Sequence, residues 1–395
     1  MHLEPLIQDL AVLLCISALV TFLFHKLKQP VVLGYLVAGL IIGPYTPPGS
    51  LVTDLAGIRI WADIGVVFLM FSLGLEFSFR KLLRLGGGAI VIATFEVGCL
   101  FGAGYCAGQI AGWSTMDSVF LGAILSISSS TIILKSIEES GLRDQPFTDT
   151  AFAVLIVEDL LAILILAGLS LAGTEIKFTP LVIAEEVGKL IAFVGTWFLV
   201  GHLLVPRLVR AFRKVGSDEM LTLLSLGLCF LVAVTAERFG YSMALGAFIM
   251  GSIIAETPEA HRIGTLTRPL RDVFGAVFFV SVGMLIEPKS LWEHRTAIVL
   301  LSVLTILGKV TATLLASKVA RRKTRDSVQV AFSMSQIGEF SFIIAALGAS
   351  EGVTSAFLYP LAVAVSMVTT FTTPYMIRNS QRVGTWAESR RKKAS

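Results

Sequence analysis

The chain alternates between long apolar stretches and short polar connections. A helix that crosses a bilayer needs about 20 mostly apolar residues, and thirteen stretches approach or exceed that length. They cover about residues 5–24, 30–45, 58–78, 87–111, 116–136, 148–172, 179–205, 219–237, 241–256, 267–286, 296–318, 327–349 and 354–377. The pattern predicts an all-α polytopic membrane protein with thirteen transmembrane helices.

Polar residues interrupt the fifth and the twelfth stretch. The interrupting residues are Ser126, Ser128, Ser129, Ser130 and Thr131 in the fifth, and Ser333, Ser335, Gln336, Gly338 and Glu339 in the twelfth. Irregular backbone at membrane depth persists only where protein or a watery cavity satisfies it. Matching interruptions in two halves, spans 1–6 and 8–13, predict an inverted repeat with two broken crossing helices. The alternative is that the hydroxyls bond back to carbonyls of intact helices.

The sixth stretch carries two adjacent acids, Glu158 and Asp159, near its middle. A carboxylate at that depth needs a partner, water or a cation, so the pair predicts an ion or proton site. The alternative is a structural salt bridge between helices.

Lys309 lies about 13 residues from one end of its span and also needs a counter-ion. We expect Glu158 or Asp159 to supply it, with Glu96 as a competing partner that we otherwise interpret as structural. If Glu158 stays paired with Lys309, one cation exchanges for one proton, which is the case we favour. If cation binding breaks the Glu158–Lys309 ion pair and Lys309 releases its proton, two protons exchange for one cation. We also interpret Glu339 as structural.

Composition restricts the class of protein. Of the 395 residues, 55% are hydrophobic and 15% are charged, which excludes a soluble enzyme. There is no HExxH, Walker or GxGxxG motif, so neither an ATP-driven motor nor a resident cofactor is expected, and a gradient must supply the energy. The net charge of +4 resides in short loops and argues for membrane topology rather than nucleic-acid binding.

The distribution of lysine and arginine predicts the orientation. Most of the 32 basic residues fall on one side of the predicted membrane, including the tail that ends RRKKAS. The positive-inside rule places that side in the cytoplasm. With thirteen spans, the N-terminus is outside and the C-terminus is inside. We expect a multi-pass protein of the inner (plasma) membrane.

Several segments together resemble the monovalent cation:proton antiporter-2 family, and within it the KefC-type membrane domain. They are LKQPVVLGYLVAGLIIGP (27–44), VVFLMFSLGLEFS (66–78), SSSTIIL (128–134), VEDLLAI (157–163), VFGAVFFVSVGMLI (273–286), GK (308–309) and QIGEF (336–340). They occur in the family's order over nearly the whole chain. The resemblance implies an inverted-repeat sodium/proton-antiporter fold that works as a homodimer in the lipid bilayer.

The resemblance also implies a division of the chain. The implied parts are dimer-scaffold helices 1–3 (1–86), core helices 4–6 with the ion site (87–178), linker helix 7 (179–215), scaffold helices 8–10 (216–290), core helices 11–13 (291–379) and a basic cytoplasmic tail (380–395). Asp159 takes the family's ion-binding position and would hold the monovalent cation. Glu158 precedes it, Ser130 and Thr131 match the unwound stretch, and Lys309 matches the buried lysine.

Two features depart from the family pattern. The Glu158–Asp159 pair matches neither common variant of that position, which leaves the stoichiometry open. The sequence stops at Ser395 without the nucleotide- or glutathione-sensing domain of many relatives. A cytoplasmic nucleotide-binding regulatory domain or subunit outside this chain is therefore expected as a partner.

The function that we predict is secondary antiport of a monovalent cation, K⁺ rather than Na⁺ on the resemblance alone, against protons by alternating access. A cation channel or a gated efflux pathway of the KefC type is the alternative. An intramembrane protease is disfavoured, because its aspartates converge from different helices, whereas Glu158 and Asp159 are successive residues, about 100° apart on one helix. A purely structural or sensor protein would follow if Lys309 permanently locked the acids.

Overall fold

The computed structural model describes residues 5–27, 29–46, 51–52, 54–76, 87–142, 144–170, 180–215 and 217–394. In these ranges the chain forms sixteen helices: α1 (Pro5–Lys26), α2 (Val31–Ile42), α3 (Leu55–Glu76), α4 (Gly87–Ile110), α5 (Thr115–Ser126), α6 (Ser130–Glu139), α7 (Pro146–Ser170), α8 (Pro180–Val215), α9 (Asp218–Arg238), α10 (Met243–Ala255), α11 (Ala260–Met284), α12 (Pro288–Glu293), α13 (Arg295–Val319), α14 (Thr324–Ser333), α15 (Glu339–Ser350) and α16 (Leu358–Ala394).

Eight of these helices are long and apolar enough to cross a membrane: α1, α3, α4, α7, α8, α9, α13 and α16. Four apolar helices are shorter, namely α2, α5, α10 and α15, at 12 or 13 residues each. Twelve helical residues extend about 18 Å, against about 30 Å of hydrocarbon core. The prediction of an all-α protein with many membrane helices is confirmed at this level.

Helical geometry stops inside the fifth and the twelfth apolar stretch. Helix α5 ends at Ser126 and α6 begins at Ser130, while α14 ends at Ser333 and α15 begins at Glu339. The residue after α5, Ile127, is extended, with φ −106° and ψ 128°. We call 127–129 the first break and 334–338 the second break.

The last helix is longer than the sequence pattern predicted. Helix α16 continues without interruption through the basic segment that follows residue 379, as far as Ala394. Pro374 lies inside this helix and does not end it. Residues 380–394 are mostly polar and basic residues that favour or tolerate helix, with a single glycine, so they extend the apolar segment instead of breaking from it.

The chain divides into two compact units. The first unit contains the start of α1, α3, the end of α7, α8, α9, α10 and most of α11. The second unit contains the rest of α1, α2, α4, α5, α6, most of α7, the end of α11, and α12 to α16. All the site residues predicted from the sequence belong to the second unit.

Small residues bring α3 and α10 together in the first unit. A Cβ added at Gly74 would overlap the backbone carbonyl oxygen of Phe248, and one added at Gly251 would overlap that of Phe71. Only glycine permits so close an approach of two backbones in the membrane. In the second unit, α4 and α5 meet in the same way, with a Cβ at Gly104 reaching 2.8 Å from Gly122 Cα.

We predict that Gly251→Ala destabilises the protein by about 1–3 kcal/mol, because the added methyl group forces the two backbones apart. The measurement is the thermal melting temperature of the purified protein in detergent. Gly98→Ala is the matched control, since nothing lies within 4 Å of a Cβ at that helical glycine. Equal melting temperatures for the two variants would contradict this account of the packing.

Candidate functional site

The two helix breaks lie against each other and share hydrogen bonds. The backbone N–H of Gly338 donates to Ile127 O at 3.0 Å, and the Gln336 side-chain amide donates to Ser129 O at 3.2 Å. A Cβ at Gly338 would lie 2.5 Å from the Cα and N of Ser129, so the crossing requires glycine there. Gln336 is fully buried. Each break thus provides hydrogen-bond partners for backbone groups that have no partner within the other break.

The two acids of α7 face different parts of the first break. Glu158 is fully buried, and its Oε2 accepts a hydrogen bond from the backbone N–H of Ser128 at 3.0 Å. Asp159 is only partly buried, and its Oδ2 accepts from Ser130 Oγ at 3.0 Å. The structure therefore brings Glu158, Asp159 and Ser130 together. The Thr131 backbone belongs to α6, but the side chain lies outside the described part.

The start of α6 and the start of α15 are joined through one serine. Ser129 Oγ accepts from the backbone N–H of Ile132 at 3.2 Å, which caps α6. The same hydroxyl donates to the Glu339 carboxylate, the first residue of α15. A negative charge is favourable at helix N-termini, because the unpaired N–H groups there carry partial positive charge. Glu339 serves both helices in this way.

Lys309 lies at the end of α5, where the first break begins. Its ammonium donates to Glu96 Oε1 at 3.0 Å, to Ser126 O at 3.0 Å and to Ser128 Oγ at 2.8 Å. Glu158 Oε1 is farther away, at 3.9 Å from Nζ. Lys309, Glu96 and Glu158 all have fully buried side chains.

The sequence predicts Glu158 or Asp159 as the counter-ion of Lys309, with Glu96 as the competing partner. The distances reverse that order, since Glu96 forms the direct hydrogen bond and Glu158 only a longer ion pair. The helices' rotation about their axes decides the outcome, and sequence spacing does not reveal that rotation. Two carboxylates, those of Glu96 and Glu158, thus lie beside the ammonium of Lys309.

The arrangement offers the kind of oxygen ligands that a small cation takes. Around Asp159 it offers a charged carboxylate and the Ser130 hydroxyl, and monovalent cations take oxygen ligands of this kind. The same carboxylate can instead carry a proton, so the two ions would compete for one group. The ammonium of Lys309 and the N-terminal partner Glu339 stabilise the broken backbone around it.

Two buried hydrogen-bonded side chains were not predicted from the sequence, Thr313 beside Glu96 and Asp117 at the start of α5. Thr313 Oγ1 donates to Glu96 Oε2 at 2.6 Å, and it lies one turn after Lys309 on α13. Asp117, in the first turn of α5, is buried and accepts from the backbone N–H of Ser355 at 2.7 Å. A signal for Asp117 exists in the sequence: T-x-D-S-V occurs at 115–119 and again at 324–328, at the starts of α5 and α14.

The chain belongs to the family described as "Sodium/hydrogen exchanger, transmembrane", whose pattern matches residues 11–378. The predicted family resemblance is confirmed, and the protein is a multi-pass membrane protein of this transporter family rather than an enzyme. A solved structure, the sodium proton antiporter MjNhaP1 from Methanocaldococcus jannaschii at pH 8, has the same fold. It superposes with a TM-score of 0.75 at 17% identity, over 98% of this chain and 99% of that one.

Among relatives in sequence, YbaL of Escherichia coli (strain K12), named as a candidate cation/proton antiporter, is 37% identical over 358 residues. The match covers 88% of this chain but 63% of YbaL, so the chain spans less than two thirds of that relative. The K⁺/H⁺ antiporter subunit KhtU of Bacillus subtilis (strain 168) is 29% identical over 391 residues, covering 96% of this chain and 95% of KhtU.

We predict that Gly338→Ala lowers stability by about 1–3 kcal/mol, because the methyl group would push the second break away from Ser129. The melting temperature of the purified protein measures the effect. Gly168→Ala is the control, as nothing lies within 4 Å of a Cβ at that glycine of α7. A Gly338→Ala protein that melts with the control would mean that the breaks do not depend on close contact.

Proposed function

We propose that the protein is a secondary antiporter that exchanges a monovalent cation for protons. The observation that carries this proposal is the partly buried Asp159 carboxylate, set beside the hydroxyl of Ser130 next to a helix break. The family membership and the names of the relatives support it. No cofactor takes part, because the cation gradient and the proton gradient drive each other.

Asp159 is the shared group in this proposal. A cation loses part of its water only if charged oxygen replaces it, and the carboxylate supplies that oxygen. Protonation of the same carboxylate removes its charge and releases the cation. Binding of the cation therefore excludes the proton, and binding of the proton excludes the cation. This competition for one carboxylate couples the cation flux to the proton flux.

In this proposal the protein has thirteen membrane spans, and transport proceeds by alternating access. The eight long helices supply eight spans, and α2, α10 and α11 supply three more. We propose that α5 with α6, and α14 with α15, are the halves of two broken crossing helices, which completes the count. The predicted core, helices 4–6 and 11–13, would carry the ion site as it opens to one side and then to the other, with helices 1–3 and 8–10 as scaffold.

The remaining assignments rest on sequence and family. We propose a homodimer in the inner (plasma) membrane, with the N-terminus outside and the basic C-terminal segment in the cytoplasm. A cytoplasmic regulatory domain or subunit is proposed as a further partner, and the name of KhtU as an antiporter subunit is in keeping with this. We favour K⁺ as the cation, and the name of KhtU supports that choice as well.

A passive cation channel or gated efflux pathway is the second candidate. It would need a continuous pore, and it would move cations without obligatory movement of protons. The buried, mutually bonded breaks favour a site that closes around one ion over an open path. The following experiment separates the two.

We predict that Asp159→Asn lowers cation-driven proton flux by at least about 100-fold, because the amide keeps the shape but cannot hold a charge-compensated cation or an exchangeable proton. The measurement uses proteoliposomes with an internal pH dye, to which K⁺, Na⁺, Li⁺ and Rb⁺ salts are added separately. Asp149→Asn is the matched control, since Asp149 is an exposed aspartate in the first turn of the same helix.

Near-normal flux in Asp159→Asn would refute the role of this carboxylate. Cation movement that runs down its gradient with no proton moving in return, in the unaltered protein, would favour the channel. An antiporter instead moves protons uphill when a cation gradient is imposed, and the order of the four salts gives the selectivity.

A further inference from the structure

The ammonium of Lys309 has three N–H donors, and the structure uses all three. They go to Glu96 Oε1, Ser126 O and Ser128 Oγ, at 3.0, 3.0 and 2.8 Å. No donor remains for Glu158, whose Oε1 lies 3.9 Å from Nζ. Glu158 therefore feels the charge of Lys309 without a hydrogen bond from it.

Among the described residues, the hydrogen-bond partners of Glu96 both come from α13. Its Oε1 accepts from Lys309 and its Oε2 accepts from Thr313 Oγ1, at 3.0 and 2.6 Å. Lys309 and Thr313 are four residues apart, so they lie on one face of α13, and each donates a hydrogen bond to one oxygen of the Glu96 carboxylate. All three side chains are fully buried. An ion pair of this kind persists only when its remaining hydrogen-bonding positions are also filled, as they are here.

The other end of the ammonium stabilises the first break. Ser126 is the last residue of α5, and its carbonyl belongs to the group that has no partner inside a helix. A cation at this end of a helix is favourable. The Ser128 hydroxyl accepts from Lys309 and donates to Met334 O, just past α14, at 3.4 Å. Lys309 therefore contacts the C-terminal end of α5 directly and that of α14 through Ser128.

We propose that Glu96, fixed by Thr313, is a positioning residue that holds Lys309 at the end of α5 and keeps it from Glu158. This inference rests on the proposed function only in its effect on transport. Glu158 is oriented by the backbone of Ser128 instead, and its Oε1 has no hydrogen-bond partner among the described residues. Its charge is then available to the exchange site beside Asp159, rather than being cancelled by the lysine.

Charged groups from other helices lie near Glu158 or bond to the same break. Lys309 of α13 lies 3.9 Å from Glu158 and also bonds to Glu96 of α4. Asp159 is the next residue on α7, and Glu339 of α15 bonds to Ser129 of the first break. Helices α5 and α6 approach it with serines at the first break. When Glu96 loses its charge, the ammonium loses the negative partner that holds it on α4, and Glu158 is the charged carboxylate within reach. Lys309 then moves toward Glu158 and cancels the charge that Glu158 supplies to the site beside Asp159.

The first test compares the half-saturating cation concentrations of Glu96→Gln, Thr313→Val and Thr311→Val in the proteoliposome assay. Glu96→Gln should raise the half-saturating cation concentration by about fivefold or more, because Lys309 then moves toward Glu158 and cancels charge beside Asp159. Thr313→Val keeps both charges and should raise that concentration by less.

Thr311→Val is the matched control for this series. Thr311 lies on the exposed face of α13 and bonds only to carbonyls of its own helix, at Leu307 and Gly308. Its half-saturating cation concentration should equal that of the unaltered protein. A Glu96→Gln protein with an unchanged half-saturating concentration, altered only in the amount that folds, would overturn the proposal.

The second test does not depend on transport. A double-mutant cycle on melting temperature combines Glu96→Gln with Lys309→Met, and a parallel cycle combines Glu158→Gln with Lys309→Met. Removing one partner of a buried ion pair leaves the other charge unpaired, whereas removing both does not. The drop in melting temperature of the first double variant should therefore be smaller than the sum of the drops of its two single variants. The second cycle should deviate less from additivity.

A larger deviation in the Glu158–Lys309 cycle would overturn the inference, because Glu158 would then be the true partner. If the unaltered protein shows no cation-driven proton flux, the proposed function fails, yet the cycles still decide which acid holds Lys309. The two proposals can thus fail separately.

Discussion

The structure depends on how the helix ends at the first and second breaks satisfy their backbone groups inside the protein. A helix end leaves four N–H or four C=O groups without partners, and each such group costs several kcal/mol in an apolar medium if nothing replaces the partner. The first and second breaks meet at Gly338, where only a glycine allows the contact. Charges complete the arrangement: Lys309 lies at the C-terminal end of α5, and Glu339 lies at the start of α15 beside the cap of α6. The backbone at this depth is thereby kept irregular and ordered.

This arrangement assigns different tasks to residues that are adjacent in sequence. Glu158 is fully enclosed and bonded to the backbone of the first break, whereas Asp159 is partly buried and accepts a hydrogen bond from the Ser130 hydroxyl. The buried acid fixes the position of the break. In the proposed mechanism, the partly buried acid is the one that exchanges a proton for a cation. The ion pair between Lys309 and Glu96 supplies positive charge at the end of α5, while Glu158 and Asp159 form their own hydrogen bonds with the segment 128–130.

Much of the fold could be predicted from the sequence, because apolar length and period report membrane helices directly. The interruptions at Ser126–Ser130 and Ser333–Glu339 were visible as polar residues inside apolar runs. The counter-ion of Lys309 was not, because three acids at similar depth differ only in the rotation of α4 and α7 around their axes. Thr313 was invisible for another reason: a threonine in an apolar helix usually bonds to its own backbone. The continuation of α16 through residues 380–394 was missed because charge ends a membrane span without ending a helix.

The central claim is that one carboxylate, Asp159, binds either a cation or a proton. The most direct measurement is proton release upon cation binding, with the purified protein in detergent and weak buffer and a pH indicator. The account predicts that K⁺ or Na⁺ salt releases protons in proportion to the cation bound, that a choline salt releases none, and that Asp159→Asn abolishes the release. Cation binding measured by calorimetry without any proton released, over the pH range in which the protein transports, would contradict it.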